Sequence, residues 1–506
     1  MRRKKKNIVL EKLLIEDYAA EGRSLARWQG KVVFVERTVP GDVVDVFLYK
    51  NKKDWAEGYP LTFHQLSPVR VTPFCKHFGD CGGCQWQMVP YEQQLQFKQK
   101  QVQDALHRIG KIPLPELLPI IGGRNDRYYR NKLEYTFGTY RYVPETEFKK
   151  APLNSPKGGT SGASDKAESF ELLESSETSS FAGGLEEARG AVGFHAKGLF
   201  DKVVDIKHCY LQPEPSNQIR ETIREYALAH GLSFYDVRHH TGFLRNVQLR
   251  ICTTGEVMVN VIVAEDDTKK TAQLLEHLKQ TVPSITALLY TLNTKKNDSL
   301  YDLEPVLYSG KNYVIEKLSP GPGEEDFQFK IGPKSFFQTN TYQGEQLYKI
   351  ARDFAELTGN EIVYDLYCGT GSIGIFVSKK ARKVIGVEMI EAAIGDAREN
   401  AAMNNLHTAE FYAGDVIDIC NNEFFAVHGR PDVIITDPPR AGMHEKLVRK
   451  ILEIAAPVIV YVSCNPATQA RDLNWLGEKY AVTKIQPVDM FPHTLHIENV
   501  VQLKLK

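Results

Sequence analysis

Apolar and polar residues alternate near the start of the chain. In "GKVVFVERTVPGDVVDVFLY" two such runs flank a Pro40-Gly41-Asp42 turn. A period of two broken by a turn predicts short strands, so residues 1 to about 65 are expected to form a small β-barrel. "YEQQLQFKQKQVQDALHRIG" then reads as a helix ending at Gly110. From about 205 to 335 the pattern is mixed: a hairpin around Thr254-Gly255, a helix over "TKKTAQLLEHLKQTV", and strands over "ALLYTLNT" and "NYVIEKL". From about 340 strands alternate with helices, through "EIVYDLYC", "KVIGVEMI", "AEFYAGDV", "PDVIITDPP" and "APVIVYVSCN". That alternation predicts a parallel sheet with helices on both faces.

One stretch breaks the patterning. Residues of about 145 to 190 are rich in Ser, Gly and Glu and poor in large apolar side chains. Such a segment buries too little surface to offset its ordering entropy. Strand-like sequence on both sides makes it a flexible insertion in one domain, with an interdomain linker as the alternative. The basic start, Arg2 to Lys6, reads as a solvated tail. It lacks the long apolar region of a signal peptide, and no apolar run approaches the roughly 18 residues that span a membrane. A cytoplasmic protein with no membrane partner is expected.

Composition adds little: 506 residues, 42% hydrophobic and 25% charged, with 63 basic and 63 acidic side chains. A net charge of zero neither supports nor excludes a nucleic-acid partner, because a basic face can oppose an acidic one. The cysteines change the picture. "CKHFGDCGGC" gathers Cys75, Cys81 and Cys84 within ten residues. In a reducing compartment such clusters are metal ligands or catalysts rather than disulfides.

"DLYCGTGSIG" follows a strand and opens a helix, with Gly369, Gly371 and Gly374 letting the backbone approach a ligand. Alone it suits a dinucleotide or S-adenosylmethionine (SAM) equally. Glu388 ends the next strand, where a carboxylate can bind both ribose hydroxyls. Asp415 is expected to end the strand after that, near an adenine edge. "IITDPPRAGM" puts Asp437, Pro438 and Pro439 at a strand end, and the two prolines stiffen the loop and remove two N–H donors. A stiff loop suits a planar base held beside a sulfonium methyl group and has no obvious place in hydride transfer. Cys464, in "SCNP" just beyond another strand, is a candidate nucleophile whose thiol a polar or positive setting is expected to acidify. Glu498, near His493 and His496, is a candidate base; a buried structural thiol and a surface charge are the bland readings of the two.

Taken together, "DLYCGTGSIG", "DPPRAG", "YVSCNPAT" and "FPHTLHIE" resemble the RNA uracil-C5 methyltransferase family. "CKHFGDCGGCQWQ" and "KSFFQTNTYQ" resemble its iron–sulfur, 23S ribosomal RNA branch, and the N-terminal barrel resembles a TRAM RNA-binding domain. The resemblance spans nearly the whole chain outside 145–190. It implies an α/β protein in three parts: a TRAM barrel over 1–67, an iron–sulfur domain over 68–335, and a Rossmann-like SAM-dependent methyltransferase domain over 336–506. It implies that Gln338, Tyr367, Glu388 and Asp437 bind or border SAM. It implies that Cys464 attacks uracil C6, that C5 takes the methyl group, and that Glu498 removes the C5 proton. It further implies a monomer acting on 23S RNA, with transfer RNA as the competing substrate, and a target base that leaves its stack. Phe336 or Phe491 could stack on bases, although core packing is the commoner role for an aromatic ring.

Cys209, in "VVDIKHCYL", is the natural fourth partner of Cys75, Cys81 and Cys84, and in the resembled branch these four positions hold a [4Fe–4S] cluster. Zinc remains open, with His77 and His208 nearby. Radical-SAM clusters use three cysteines at C-x3-C-x2-C, unlike the C-x5-C-x2-C found here. Cys252, Cys368 and Cys420 follow no such pattern. Two readings from other classes remain. A nicotinamide dehydrogenase leaves Asp437-Pro438-Pro439, Cys464 and Glu498 without a role. A non-catalytic RNA-binding protein needs neither Cys464 nor Glu498.

Overall fold

A computed structural model describes residues 8–19, 22–144 and 190–506. The basic tail and nearly all of the Ser-rich segment lie outside the described residues.

The first six strands form one sheet in the order Ile8–Leu14, Val43–Asn51, Trp55–Gln65, Lys31–Val35, Ser24–Trp28, Asp17–Tyr18. Its two edge strands are consecutive in the chain, separated only by Ile15 and Glu16. The alternating pattern sorts the side chains to two faces. Val33, Val35, Val44, Val46 and Ala56 point inward and are fully buried, while the residues between them face outward.

The central sheet has seven strands in the order Val306–Gly310, Ala287–Leu292, Val257–Val263, Leu244–Ile251, Lys132–Gly138, Ala191–His195, Val203–Asp205. Leu244–Ile251 and Val257–Val263 form the hairpin predicted around Thr254-Gly255. Val257–Val263 and Ala287–Leu292 are parallel, and a parallel pair needs a crossover. The helix Thr268–Thr281 supplies it, capped by the Asp267 carboxylate on the Lys270 N–H. The strands before and after the Ser-rich segment, Lys132–Gly138 and Ala191–His195, pair antiparallel in this one sheet.

The C-terminal sheet runs Ala409–Ala413, Lys383–Glu388, Ile362–Leu366, Val433–Thr436, Val458–Ser463, Glu498–Leu505, Tyr480–Val488. The first five strands are parallel; Glu498–Leu505 is antiparallel to both its neighbours. Ile362–Leu366 is buried along its whole length, as a strand covered on both faces must be. Strand order reverses between Ile362–Leu366 and Val433–Thr436, and ligands bind open α/β sheets at such a switch point.

The expected division at 335/336 runs beside a shared core. The hairpin Val314–Leu318 and Phe327–Ile331 packs with Met258 and Leu289 of the central sheet and with Phe376 and Val384 of the C-terminal one. The helix Tyr91–Ala105 also reaches across, through Val102 and Leu106, into the C-terminal core. The chain then winds one wider turn, Leu106–Gly110. Lys98 of this helix makes a 2.6 Å ion pair with Asp489, and both side chains are fully buried. Burial of a lone charge is so unfavourable that losing either partner costs about 3–5 kcal/mol.

Candidate active site

The glycine loop lies at the switch point. Tyr367 leaves its strand at φ 61°, and Gly369 (φ 52°) and Gly371 (φ 77°) continue the left-handed turn into the helix Ser372–Val377. A Cβ on Gly371 would stand 2.8 Å from the Phe411 ring, so the turn admits no side chain there. The Gly374 N–H donates to Asp365 Oδ2 at 2.8 Å, while Asp365 Oδ1 is buried with no partner. Glu388 ends the strand Lys383–Glu388 and faces the loop, accepting from the Gly369 N–H at 3.3 Å and the Ile390 N–H at 3.0 Å. Asp415 does not end a strand, as the sequence led us to expect. It follows Gly414 and caps the short helix Val416–Ile419, accepting from the Ile417 N–H at 2.8 Å. Gly414 at φ 148° carries the chain past the strand's last residue, and that break is invisible to the apolar pattern. Gln338, 8% exposed, lies just before the helix Thr341–Ala355, and its carbonyl accepts from the Asn131 amide at 2.9 Å.

Three strand ends complete the site. Asp437 follows Val433–Thr436, and its N–H reaches the Leu366 carbonyl at 3.4 Å beside Tyr367. Cys464 follows Val458–Ser463 and precedes Asn465, which caps the helix Pro466–Leu476. Glu498 opens the last strand. Ser463 pairs with Asn499 in an antiparallel register, so one further step sets Cys464 opposite Glu498. Cys464 also lines a cleft of about 1120 Å³ together with Arg440 and His496, walled by Tyr18 and Phe34 of the barrel and Phe97 of the helix Tyr91–Ala105.

Burial dominates the electrostatics here. It pushes the Asp365 carboxyl up to about 7, helped by Asp437 and Glu388 and opposed by the Gly374 N–H. Burial alone lifts Asp437 to about 7. Glu498, 6% exposed, is raised well above the usual carboxylate range by burial and then by Asp437. Cys464 corrects the expected acidified thiol. Burial, then the Glu498 and Asp437 carboxylates, push it up to about 11, and Arg440 pulls the other way. His493 is buried on the far side of its loop, 3.4 Å from Asp126 and 3.1 Å from the Gln94 amide. Phe336 is 66% exposed, whereas Phe491 packs against the cores with the Arg130 guanidinium over its ring.

Cys75, Cys81, Cys84 and Cys209 line one small, partly open cavity of about 30 Å³, with Phe78, Phe194 and Ile206. Burial raises all four thiols, Cys81 and Cys84 to about 12, and neighbouring thiols add to the shifts of Cys81, Cys84 and Cys209. Cys209 is brought in by its own N–H, which donates to Asn217 Oδ1 at 2.8 Å. His77 Nε2 accepts from the Lys207 N–H, and His208 bonds the Tyr128 hydroxyl. Among the described residues, no group of three or more His, Cys, Asp or Glu is placed to hold a metal ion. Cys252, Cys368 and Cys420 are buried elsewhere.

Residues 304–506 match the family model described as tRNA (Uracil-5-)-methyltransferase. An RNA methyltransferase of Bacteroides thetaiotaomicron is 48% identical over 96% of this chain and 100% of its own length. One from Porphyromonas gingivalis is 46% identical over 97% of this chain and 98% of its own. The chain belongs to the RNA uracil-5-methyltransferase family. A crystal structure of Pyrococcus abyssi tRNA (uracil-54, C5)-methyltransferase with S-adenosyl-L-homocysteine matches with a TM-score of 0.69 and 26% identity, covering 97% of this chain and all of that one.

This methyltransferase also has residues that the motifs did not mark as functional. Asp365 is hidden in an apolar strand, yet one of its oxygens bonds the Gly374 N–H and the other is buried without a partner. Arg440 lowers the Cys464 thiol against its burial, and its place right after the two prolines was the available signal. No helix among the described residues is long and apolar enough to cross a membrane.

Proposed function

We propose that this enzyme methylates C5 of a uridine in 23S ribosomal RNA, with Cys464 as nucleophile and Glu498 as base. The observation that carries this is the strand register that sets Cys464 opposite Glu498, beside Asp437 and the glycine loop. SAM fits the loop, since a Cβ at Gly371 is excluded, Asp365 keeps a free buried oxygen, and three carboxyls raised by burial favour a cationic ligand. Gln338, Tyr367, Gly369, Gly371, Glu388, Asp415 and Asp437 would hold it. When bound it supplies a methyl group on a sulfonium.

Uracil C5 is a weak nucleophile. Attack of the Cys464 thiolate on C6 forms an S–C6 bond and moves the electron pair of the C5–C6 double bond into an enolate, so that C5 can accept the methyl group. The Glu498 carboxylate then takes the C5 proton. The C–H electron pair restores the double bond and Cys464 leaves as a thiolate. The cleft between the barrel and Cys464 admits a base drawn out of its stack.

For the cysteine cavity the reading is a [4Fe–4S] cluster held by Cys75, Cys81, Cys84 and Cys209. Its thiolate–iron bonds would tie two distant chain segments together. Four cysteines lining one cavity support this reading. The six-stranded barrel is read as a TRAM domain that grips RNA.

Nucleoside mass spectrometry on separated 23S and transfer RNA, from cells with and without the gene, tests the substrate. 5-Methyluridine should vanish from 23S RNA alone. The Pyrococcus abyssi structure favours transfer RNA as the second reading, and loss from that pool instead would establish it.

A further inference from the structure

The loop that ends at Glu498 is held by the chain that leaves Cys84. Gln85 and Trp86, the two residues after that cysteine, donate their N–H groups to the His493 carbonyl at 2.9 and 3.1 Å. Gln94 grips the same residue twice, accepting from the His493 N–H at 3.0 Å and lying 3.1 Å from its Nδ1. The Gln94 amide also ties back to the Trp86 and Val89 carbonyls. Lys98 fixes the start of the loop through Asp489 at 2.6 Å and the Phe491 carbonyl at 3.1 Å, and Tyr91 donates to Asp489 at 2.8 Å. Tyr129 donates to the Pro492 carbonyl at 2.9 Å.

His493 is held at φ +63°, a conformation a side-chain-bearing residue adopts only when its surroundings enforce it. The enforcing groups lie on residues 85–94, and residue 84 is a wall of the four-cysteine cavity. Glu498 lies five residues beyond this pinned turn. Cys464 is placed by its own strand and the Asn465 cap, whereas Glu498 is the first residue of its strand, paired only with Val488 at the other end of this loop.

We infer that the four-cysteine site is a positioning device for the catalytic base. Filling it fixes Cys84, hence the Gln85 and Trp86 amides, hence the 489–498 loop. Its occupancy governs removal of the C5 proton and release of Cys464, and leaves capture of RNA and formation of the Cys464 adduct nearly untouched. Gln94 is a positioning residue in the same linkage. This rests on the assignment of Cys464 and Glu498 made above.

Two samples of the full chain test it: protein depleted of iron, with iron content measured, and an iron-replete Gln94→Leu variant. Each is given RNA tritiated at uridine C5. Adduct formation should stay within about twofold of the native rate, while tritium release falls roughly 10- to 100-fold, the scale of an ångström-sized misplacement. Methylated enzyme–RNA adduct should therefore accumulate. Hydrogen exchange supplies a readout free of the chemistry: amides of 489–498 should exchange about tenfold faster in both samples, and restoring iron and sulfide should return the depleted one to native protection. Unchanged exchange over 489–498, or a parallel fall in adduct formation and tritium release, overturns the linkage. A Cys464→Ala protein that still forms the adduct overturns the underlying assignment instead. Gln94→Asn, too short to reach His493, replaces Gln94→Leu if that variant does not fold.

Discussion

The cysteine cavity and the Cys464 pocket start from the same physical condition. Each buries groups whose charged forms its proposed role needs, and burial holds those groups neutral. Cys81 and Cys84 are pushed up to about 12, Cys464 to about 11, and Asp365 and Asp437 to about 7. An added cation would favour the charged forms in both. They differ in how long the cation stays. On the reading proposed above, iron held by four thiolates would stay in place and stiffen its surroundings. A sulfonium donor arrives charged and leaves neutral, so the second pocket would be stabilised in its ionised form only while the methyl group is in place. The same desolvation would then serve a fixed strut in one region and a site charged once per turnover in the other.

The sharpest way to break that comparison is to remove one thiol from each region. Cys464→Ala should lower kcat by about 10⁴-fold or more and abolish the covalent complex with 5-fluorouridine RNA, whose fluorine cannot leave as a proton. Iron content should not change. Cys84→Ser should do the reverse. Iron retention should fall at least about 10- to 100-fold, while SAM affinity, measured by calorimetry, stays within about twofold. If Cys84→Ser weakens SAM binding as much as iron binding, the two regions are not separate sites.

These two regions were unequally legible in the sequence. The glycine loop, the two prolines and the "SCNP" turn are local chemistry, and each could be read where it stood. The cysteine spacing was equally plain, and the structure brings the fourth cysteine to the other three through the Asn217 cradle. What stayed hidden is non-local. Glu498 meets Cys464 only because the last strand inserts between Val458–Ser463 and Tyr480–Val488, and no periodicity encodes that order. The direction of the Cys464 shift was missed for the same reason: burial, and then two carboxylates from other strands, outweigh the cation next to it. "QQLQFKQKQ" reads as a solvated helix face, yet Gln94 and Lys98 are fully buried because their partners, His493 and Asp489, come from the far end of the chain.

A smaller effect sharpens the carboxylate half of the comparison. Asp365 ionises near 3.9 in an unfolded chain but at about 7 when buried. Free protein should therefore lose stability as pH rises from about 4 through 7, since the unfolded state gives up the proton first. A cationic donor reverses the preference by binding the ionised form, so SAM affinity should rise between pH 6 and 8. Asp365→Asn should flatten both trends and weaken SAM binding about tenfold at pH 8, one pKa unit's worth of interaction. A native SAM affinity that is flat across this range would mean that Asp365 never meets the donor's charge.

The smallest effect belongs to Arg440. It faces the cleft and is exposed, so its pull on Cys464 is screened by water. Arg440→Gln should shift the alkaline rise of adduct formation upward by less than about one pH unit and slow it about two- to tenfold at pH 8. A cation in an RNA-binding cleft could instead act only on a phosphate. That role would raise KM and reduce the salt dependence of binding by about one counterion, leaving the pH profile in place. Trapping with 5-fluorouridine RNA at saturating concentration, followed against pH, separates the two. A displaced profile assigns Arg440 to the thiol, and an unmoved profile with a higher KM makes Arg440 a phosphate contact beside Arg27, Lys100 and Arg108 of the same cleft.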